Sequence, residues 1–334
     1  MRKIRIGVLC PSEIAFRRFM PALKLVEQFE YIGLAAATER EFSAGDSDEI
    51  MPSELEKAKK FTAEHGGKLF HGYESLISSD MIDAVYIPLP PALHFKWAKK
   101  ALENGKHVLL EKPFTTSVSD TEELISIAQG NQLAVHENYM FAFHSQLEWI
   151  REQINSNAIG DIRLIRIDFG FPFRGANDFR YCKELGGGAL LDCGGYTIKL
   201  ASMLLGDTTS VTESQLCGKE GFDVDVFGSA TLKNSAGLTA QVSFGMDNSY
   251  RCSLDVWGST GSIYTNRILT APTGYSPTIT IRNADGEKSV ELLPDDSFKK
   301  SIQYFGKCVE CESTRCSHYE EILRQSRLVE ECMK

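Results

Sequence analysis

Residues 5–15 read RIGVLCPSEIA, and FRRFMPALKLVEQF follows. A short aliphatic run, a turn and an apolar pattern at helical spacing make a strand–turn–helix unit. In the dinucleotide-binding form of this unit a G-x-G-x-x-G turn brings the backbone close to a pyrophosphate. Here Cys10, Ser12 and Ala15 occupy the three glycine positions. Pro11 biases Cys10 to an extended conformation, so the turn is expected to form without a left-handed residue at position 10. The helix start still offers free backbone N–H groups and a favourable dipole to an anion. The Ser12 hydroxyl can also bond a phosphate oxygen. Cys10, Ser12, Glu13 and Ile14 are therefore the candidate pyrophosphate contacts.

Outward from this unit the strand–helix alternation continues. Residues 4–9 predict a strand and 14–28 a helix. YIGLAAA (31–37) predicts a second strand, whose small residues suit a sheet covered on both faces. The polar stretch 40–52 reads as a loop, and Ser53-Glu54-Leu55-Glu56 as a capping box opening a helix that stops at Gly66-Gly67. Strands follow at 83–87, 107–110 and 133–137. Between them lie a helix opened by Pro91, with Leu93, Trp97, Ala98, Ala101 and Leu102 on one face, and another at 119–130. After about residue 145 the rhythm changes. A helix near 146–156 and a glycine-rich segment with its helix (186–205) precede strands at 210–217, 226–233, 238–246, 250–257, 261–267, 278–283 and 288–293. KNSAG (233–237) and NADG (283–286) read as hairpin turns, and two helices close the chain. The predicted fold class is α/β: a Rossmann-type doubly wound parallel sheet over residues 1–140, plus an α+β domain with a large open, mostly antiparallel sheet over 141–334. An open sheet must cover its far face, which a second subunit can do.

The composition narrows the function classes. The 334 residues are 43% hydrophobic and carry a net charge of −9, which disfavours binding to nucleic acid. No apolar run is long enough to span a bilayer, and no signal peptide is read, so a cytoplasmic protein is expected. The 9 cysteines are an odd number scattered along the chain, which suits reduced thiols. Cys308, Cys311, Cys316 and His318 loosely imitate a zinc site. The flanking Phe298, Ile302, Phe305, Tyr319, Ile322 and Leu323 fall at helical spacing, so two helices joined by a loop are expected there instead, with no metal.

Ligands of doubly wound sheets bind beyond the carboxyl ends of the strands, where CPSE, TER, PLPPALH, EKPF and ENYMF lie. Lys112, in Glu111-Lys112-Pro113, places a positive charge where it can stabilise the alkoxide-like oxygen of a hydride transfer. In GGGALLDCGGYTIKLASMLLG (186–206), Asp192 and Tyr196 are four apart and share a helix face. A Tyr phenol beside a Lys ammonium is a plausible proton donor, with Asp192 to orient either partner. The bland alternative makes Gly186–Gly188 a loop, Asp192 a helix-start cap and Tyr196 core.

AVYIPLPPALH (84–94), GKHVLLEKPF (105–114), ENYMFAFH (137–144) and GGGALLDCGGY (186–196), in this order and spacing, resemble the glucose–fructose oxidoreductase / inositol dehydrogenase / MocA family of nicotinamide-dependent oxidoreductases. Within it the chain looks most like the nucleotide-sugar 3-ketoreductases. The resemblance implies Lys112 as the active-site lysine, Tyr196 as the proton donor or acceptor and Asp192 as its motif partner. It also implies that Leu89, Pro90, His94, Glu111 and Asn138 line the cofactor crevice, and that the open sheet mediates a homodimer or homotetramer. The first turn departs from the family's usual glycine-rich fingerprint.

The expected reaction moves hydride between NADP(H) or NAD(H) and a carbonyl or secondary alcohol of a sugar or nucleotide sugar. Thr38 and Arg40 suit a 2′-phosphate, whereas Glu39, with Asp46, Asp48 and Glu49 nearby, suits a free ribose hydroxyl; the resemblance tips the choice to NADP(H). Arg174, Arg180 and Tyr181, with the aromatics of FGFPFR (169–174), are the candidate substrate contacts, either arginine being able to meet a diphosphate. A dihydrodiol or free-sugar dehydrogenase and a non-catalytic homologue are the alternatives.

Overall fold

The computed structural model describes residues 2–41 and 47–334, the side chains of 47–51 excepted. It separates into two compact units: 1–138 with 298–323, and 139–297 with 324–334. A single cut after residue 140 therefore does not describe the chain, because the segment 298–323 returns to the first unit.

The first unit holds β1 (Ile4–Leu9), β2 (Phe29–Ala36), β3 (Lys68–His71), β4 (Ala84–Ile87), β5 (His107–Leu110) and β6 (Val135–Glu137). They pair in the order β3-β2-β1-β4-β5-β6, every pair parallel. This is the doubly wound arrangement, with its switch point between β1 and β4. After β1 a π-helical turn, Ala15–Phe19, runs into α1 (Met20–Leu23). Pro21 cannot donate to the carbonyl one turn earlier, and the wider turn falls just ahead of it. The helix therefore stops short of residue 28.

The helix α2 spans Ser47–His65. Ser53 thus lies inside it, and the capping box expected at Ser53–Glu56 does not begin the helix. Asp46, and the side chains of Asp48 and Glu49, lie outside the described residues. Two further elements, β3 and α3 (Tyr73–Ile77), are short additions to the predicted pattern. Behind the sheet, α4 (His94–Glu103) buries Trp97, Ala98, Ala101 and Leu102 against Val85, Ile87, Val108 and Leu110, and the Trp97 ring meets Tyr73 edge-on at 5.0 Å. Next comes α5 (Val118–Gly130), whose first turn is capped by the Ser117 hydroxyl accepting from Asp120 N–H.

The second unit opens with α6 (Ser145–Asn155) and β7 (Ile162–Gly170). After α7 (Gly195–Leu205) come β8 (Ser210–Gly218), β9 (Asp225–Lys233), β10 (Thr239–Gly245), β11 (Arg251–Gly258), β12 (Ser262–Thr265), β13 (Thr278–Asn283) and β14 (Gly286–Glu291). The eight-stranded sheet runs β14-β13-β12-β11-β7-β10-β9-β8, and only β7 with β10 is parallel. One face buries Ile165, Ile167, Val242, Leu254 and Val256; the other presents polar residues and exposed aromatics, Trp257 at 57% and Tyr264 at 46%.

The chain closes with α8 (Ser297–Glu310) and α9 (Glu312–Glu331). Cys308 is buried while Cys311 and Cys316 are exposed, and His318 is hydrogen-bonded to His136. No group of three or more His, Cys, Asp or Glu side chains is placed to hold a metal among the described residues. Nor is any described helix long and apolar enough to cross a membrane.

Candidate active site

The carboxyl edge of the parallel sheet is drawn together by the chain itself. Cys10 N–H donates to Ala35 O at 3.0 Å, Glu111 N–H to Ile87 O at 3.1 Å and Asn138 N–H to Leu110 O at 2.9 Å. Cys10 has φ +78°, in the left-handed region. The expected extended conformation is thus overturned: the closure of the turn onto β2 outweighs the local preference of a residue before proline. The thiol faces Tyr73 and Glu54, and burial first, then the Glu54 charge, pushes its pKa well up. Cys10 therefore offers the crevice its backbone and not its sulfur. Ser12 caps the following helix, its hydroxyl accepting from Ala15 N–H at 3.2 Å. The amides of Glu13 and Ile14, at a helix start, have no carbonyl of an earlier turn to bond. That cradle fits a pyrophosphate without the glycines.

Beyond β2 a cavity of about 980 Å³ is lined by Thr38, Arg40, Gly72 and Trp97 among others. Sequence reasoning missed Glu41 here. Its carboxylate accepts from Thr38 N–H at 2.8 Å, from the Thr38 hydroxyl at 3.0 Å and from Glu74 N–H at 3.0 Å. The Thr38 hydroxyl proton is thereby engaged, so Thr38 has none to give a phosphate, contrary to expectation. Arg40 and Glu39 are exposed beside it.

His94 is fully buried, with Nδ1 2.8 Å from Pro113 O and Nε2 2.8 Å from Leu89 O. It stands behind the crevice wall and ties together two loops of that wall, where direct contact was expected. Burial holds its pKa down to about 4 even against two carbonyl acceptors, so the ring is neutral and donates to one of them. The Lys112–Pro113 peptide is cis. Glu111 accepts from the Tyr86 hydroxyl and from Asn138 Nδ2, each at 2.7 Å. Burial raises its pKa.

In the second unit the glycine-rich segment is held from β9. Asp225 accepts from Leu190 N–H at 2.7 Å, and a Cβ on Gly188 would lie 2.4 Å from Asp225 Oδ1. The helix-start role considered for Asp192 thus belongs to Asp225. Asp192 instead accepts from Arg180 Nε at 2.9 Å. Tyr196 is packed edge-on against Tyr139 at 5.1 Å and Phe169 at 5.4 Å. A Cβ on Gly195 would come within 2.2 Å of the Tyr139 hydroxyl, so only glycine admits that packing.

Two substrate expectations are corrected. Arg180 is held between Asp192 and Asp178, so its charge is already compensated. Tyr181 is 5% exposed and donates to Met246 O at 2.6 Å, a structural bond. Arg174 stays exposed, its guanidinium 4.6 Å from the Phe171 ring centroid.

A doubly wound sheet with helix-start amides at its switch point, in one chain with an open-sheet unit carrying Asp192 and Tyr196 on its glycine-led helix, defines a two-unit nicotinamide-dependent oxidoreductase acting on a CH–OH or C=O group. The chain belongs to the GFO/IDH/MocA family: residues 29–139 match its NAD-binding Rossmann-fold domain and 147–264 its C-terminal domain. It is 37% identical over 310 residues to dTDP-3,4-didehydro-2,6-dideoxy-alpha-D-glucose 3-reductase of Streptomyces violaceoruber, covering 92% of this chain and 86% of that one. The structure of a tyrosine-to-phenylalanine variant of KijD10, a 3-ketoreductase from Actinomadura kijaniata, in complex with TDP-benzene and NADP, superposes with a TM-score of 0.90 at 36% identity, covering 98% and 96% of the two chains. A lysine-to-alanine variant of the same enzyme, with the same ligands, gives 0.87 at 35% identity over the same shares.

Proposed function

We propose that the protein is an NADPH-dependent ketoreductase that reduces a keto group on the sugar ring of a nucleoside-diphosphate sugar. The observation that carries this reading is a correspondence of spacing. The lysine and the tyrosine substituted in the Actinomadura kijaniata variants are as many positions apart as Lys112 and Tyr196 are here. The dinucleotide supplies hydride to the carbonyl carbon. Lys112 holds a positive charge at the carbonyl oxygen, where negative charge develops. Tyr196 delivers the proton to that oxygen, and Asp192, fixed by Arg180, orients the donor set. Glu13 and Ile14 amides hold the pyrophosphate and Arg40 the 2′-phosphate; the exposed Arg174 is the substrate-diphosphate contact. The exposed sheet face around Trp257 and Tyr264 packs against a second copy to make a homodimer or homotetramer.

The test is a panel of dTDP-keto sugars, free sugars and cyclic diols with NADPH and NADH. Turnover of a dTDP-keto sugar with NADPH is expected, lowered about 10³-fold by Lys112→Ala and about 10²-fold by Tyr196→Phe. Near-parental turnover by either variant, or preference for free sugars or diols, overturns the reading. Light scattering checks the assembly, and a monomer at micromolar concentration contradicts it.

A further inference from the structure

A line of polar side chains runs through the interior of the first unit and ends at Glu111. Asn138 Nδ2 donates to Glu111 Oε1 at 2.7 Å, and Ser301 Oγ on α8 donates to Asn138 Oδ1 at 2.8 Å. His136 Nε2 lies 2.8 Å from that serine oxygen, His136 Nδ1 lies 2.8 Å from His318 Nε2, and His318 Nδ1 lies 3.3 Å from Glu321 Oε2. His136 and Ser301 are fully buried and His318 is 4% exposed, whereas the Glu321 side chain is 46% exposed. A buried chain of this kind is stable only when each donor meets an acceptor.

Donor and acceptor counting fixes the protons from Glu111 as far as His136 Nε2, and with a neutral His136 it fixes those of His318 as well. A carboxylate only accepts, so Asn138 turns its NH₂ to Glu111 and its oxygen to Ser301. A hydroxyl has one proton; Ser301 gives it to Asn138 and must accept from His136 Nε2–H. A neutral His136 then has a bare Nδ1, which accepts from His318 Nε2–H. His318 can also donate to the Glu321 carboxylate only if both its nitrogens carry protons. Around the two rings the Tyr304 ring stands 5.8 Å from His136 and 5.1 Å from His318. Cys308, also on α8, senses Glu321 and Arg315, so Tyr304, Cys308, Glu321 and Arg315 are among the titratable and charged groups around the pair.

We propose that Ser301, His136 and His318 are positioning residues that hold Asn138 and the Glu111 carboxylate in one proton arrangement, with His136 neutral and protonated on Nε2 and His318 an imidazolium paired with Glu321. The consequence for cofactor binding rests on Glu111 facing the dinucleotide, as in the function proposed above. Doubly protonating His136 while His318 remains an imidazolium would set two N–H groups against each other and break the line.

The test is nitrogen-15 NMR of the histidine-labelled full chain at neutral pH, assigned with His136→Gln and His318→Gln. A bare Nδ1 on His136 and two protonated nitrogens on His318, the latter lost in Glu321→Gln, are expected. A His136 protonated on Nδ1, or a neutral His318, overturns the proposal. Ser301→Ala keeps the helix and removes the link; it is expected to weaken NADPH binding about tenfold, with Ser301→Thr restoring it. If Ser301→Ala lowers the melting temperature yet binds NADPH as the parent does, while Glu111→Gln weakens binding, the line is structural only and the positioning role falls. If Glu111→Gln also binds normally, it is the placement of Glu111 at the cofactor that fails, and the tautomers alone decide the proton arrangement.

Discussion

Arg180 donates through Nε to Asp192 at 2.9 Å, and its Nη1 reaches both carboxylate oxygens of Asp178, at 3.0 and 3.2 Å. An arginine flanked by two carboxylates has little charge left for a phosphate, whereas an aspartate gripped by a half-buried guanidinium has one orientation. This relationship predicts a kinetic split. Arg180→Gln is expected to lower kcat about tenfold or more, with KM for the nucleotide-linked substrate changing less than threefold. A diphosphate-binding arginine would give the reverse, a large rise in KM. Steady-state kinetics on the substrate identified by the panel distinguishes the two.

His94 packs between Leu89 O and Pro113 O, donating to one of them, at a site with no solvent exposure. Truncating it leaves a cavity and frees two loops of the crevice wall. His94→Ala is expected to cost about 2–4 kcal/mol of stability and to raise KM for the dinucleotide more than KM for the substrate. His94→Gln, which keeps a donor, should fall between parent and alanine variant in both denaturant unfolding and dinucleotide titration.

Cys10 holds a left-handed conformation that glycine adopts freely and a β-branched residue does not. Cys10→Gly relieves strain but loses the thiol's packing and gains freedom in the unfolded chain, so stability should stay within about 1 kcal/mol. Cys10→Val should cost about 2–3 kcal/mol and weaken dinucleotide binding, because the turn must move. Ser12→Gly removes the cap on Ala15 N–H and should cost only a few tenths of a kcal/mol. Urea unfolding and NADPH titration of the three variants check the ranking, and an unperturbed Cys10→Val would contradict it.

What was legible in the sequence was what period and composition carry locally. The α4 face of Trp97, Ala98, Ala101 and Leu102, the buried strand expected at 83–87 and found at Ala84–Ile87, and the hairpins at 233–237 and 283–286 stand where the pattern puts them. The strand β7 was not among the expected strands, although Ile165, Ile167 and Phe169 alternate with Arg166 and Asp168, the period of a half-buried strand. Four-residue β3 is too short for any period to declare itself. Contacts between distant positions had no local signal at all. His136 and His318 meet across 182 positions, and the apolar face of α8 does not say which unit it covers. Cys10 shows the converse, a local preference that was read from the sequence and overruled by tertiary closure.

The acid limb of stability should have two separable parts. His94 and His107 are both held down to about 4, chiefly by burial, from an ordinary 6.5. The unfolded chain therefore binds their protons first, and stability falls as pH drops from about 6.5 to about 4, then levels. Asp83 acts lower. Arg5 donates to it through Nε at 2.9 Å and Nη2 at 2.7 Å, and this pairing holds its pKa at about 2 against an ordinary 3.8. Its contribution is complete above pH 3.8 and disappears as pH falls through about 2. With solvent screening of a partly exposed pair, that contribution is about 1–2 kcal/mol. Asp83→Asn should remove the lower part of the limb while leaving the slope between pH 4 and 6.5 intact. His94→Gln should flatten the upper part and leave the lower. Urea unfolding midpoints measured across the acid range in both variants decide this. If Asp83→Asn changed only the upper slope, the Arg5–Asp83 pair would not be the group titrating at the acid end.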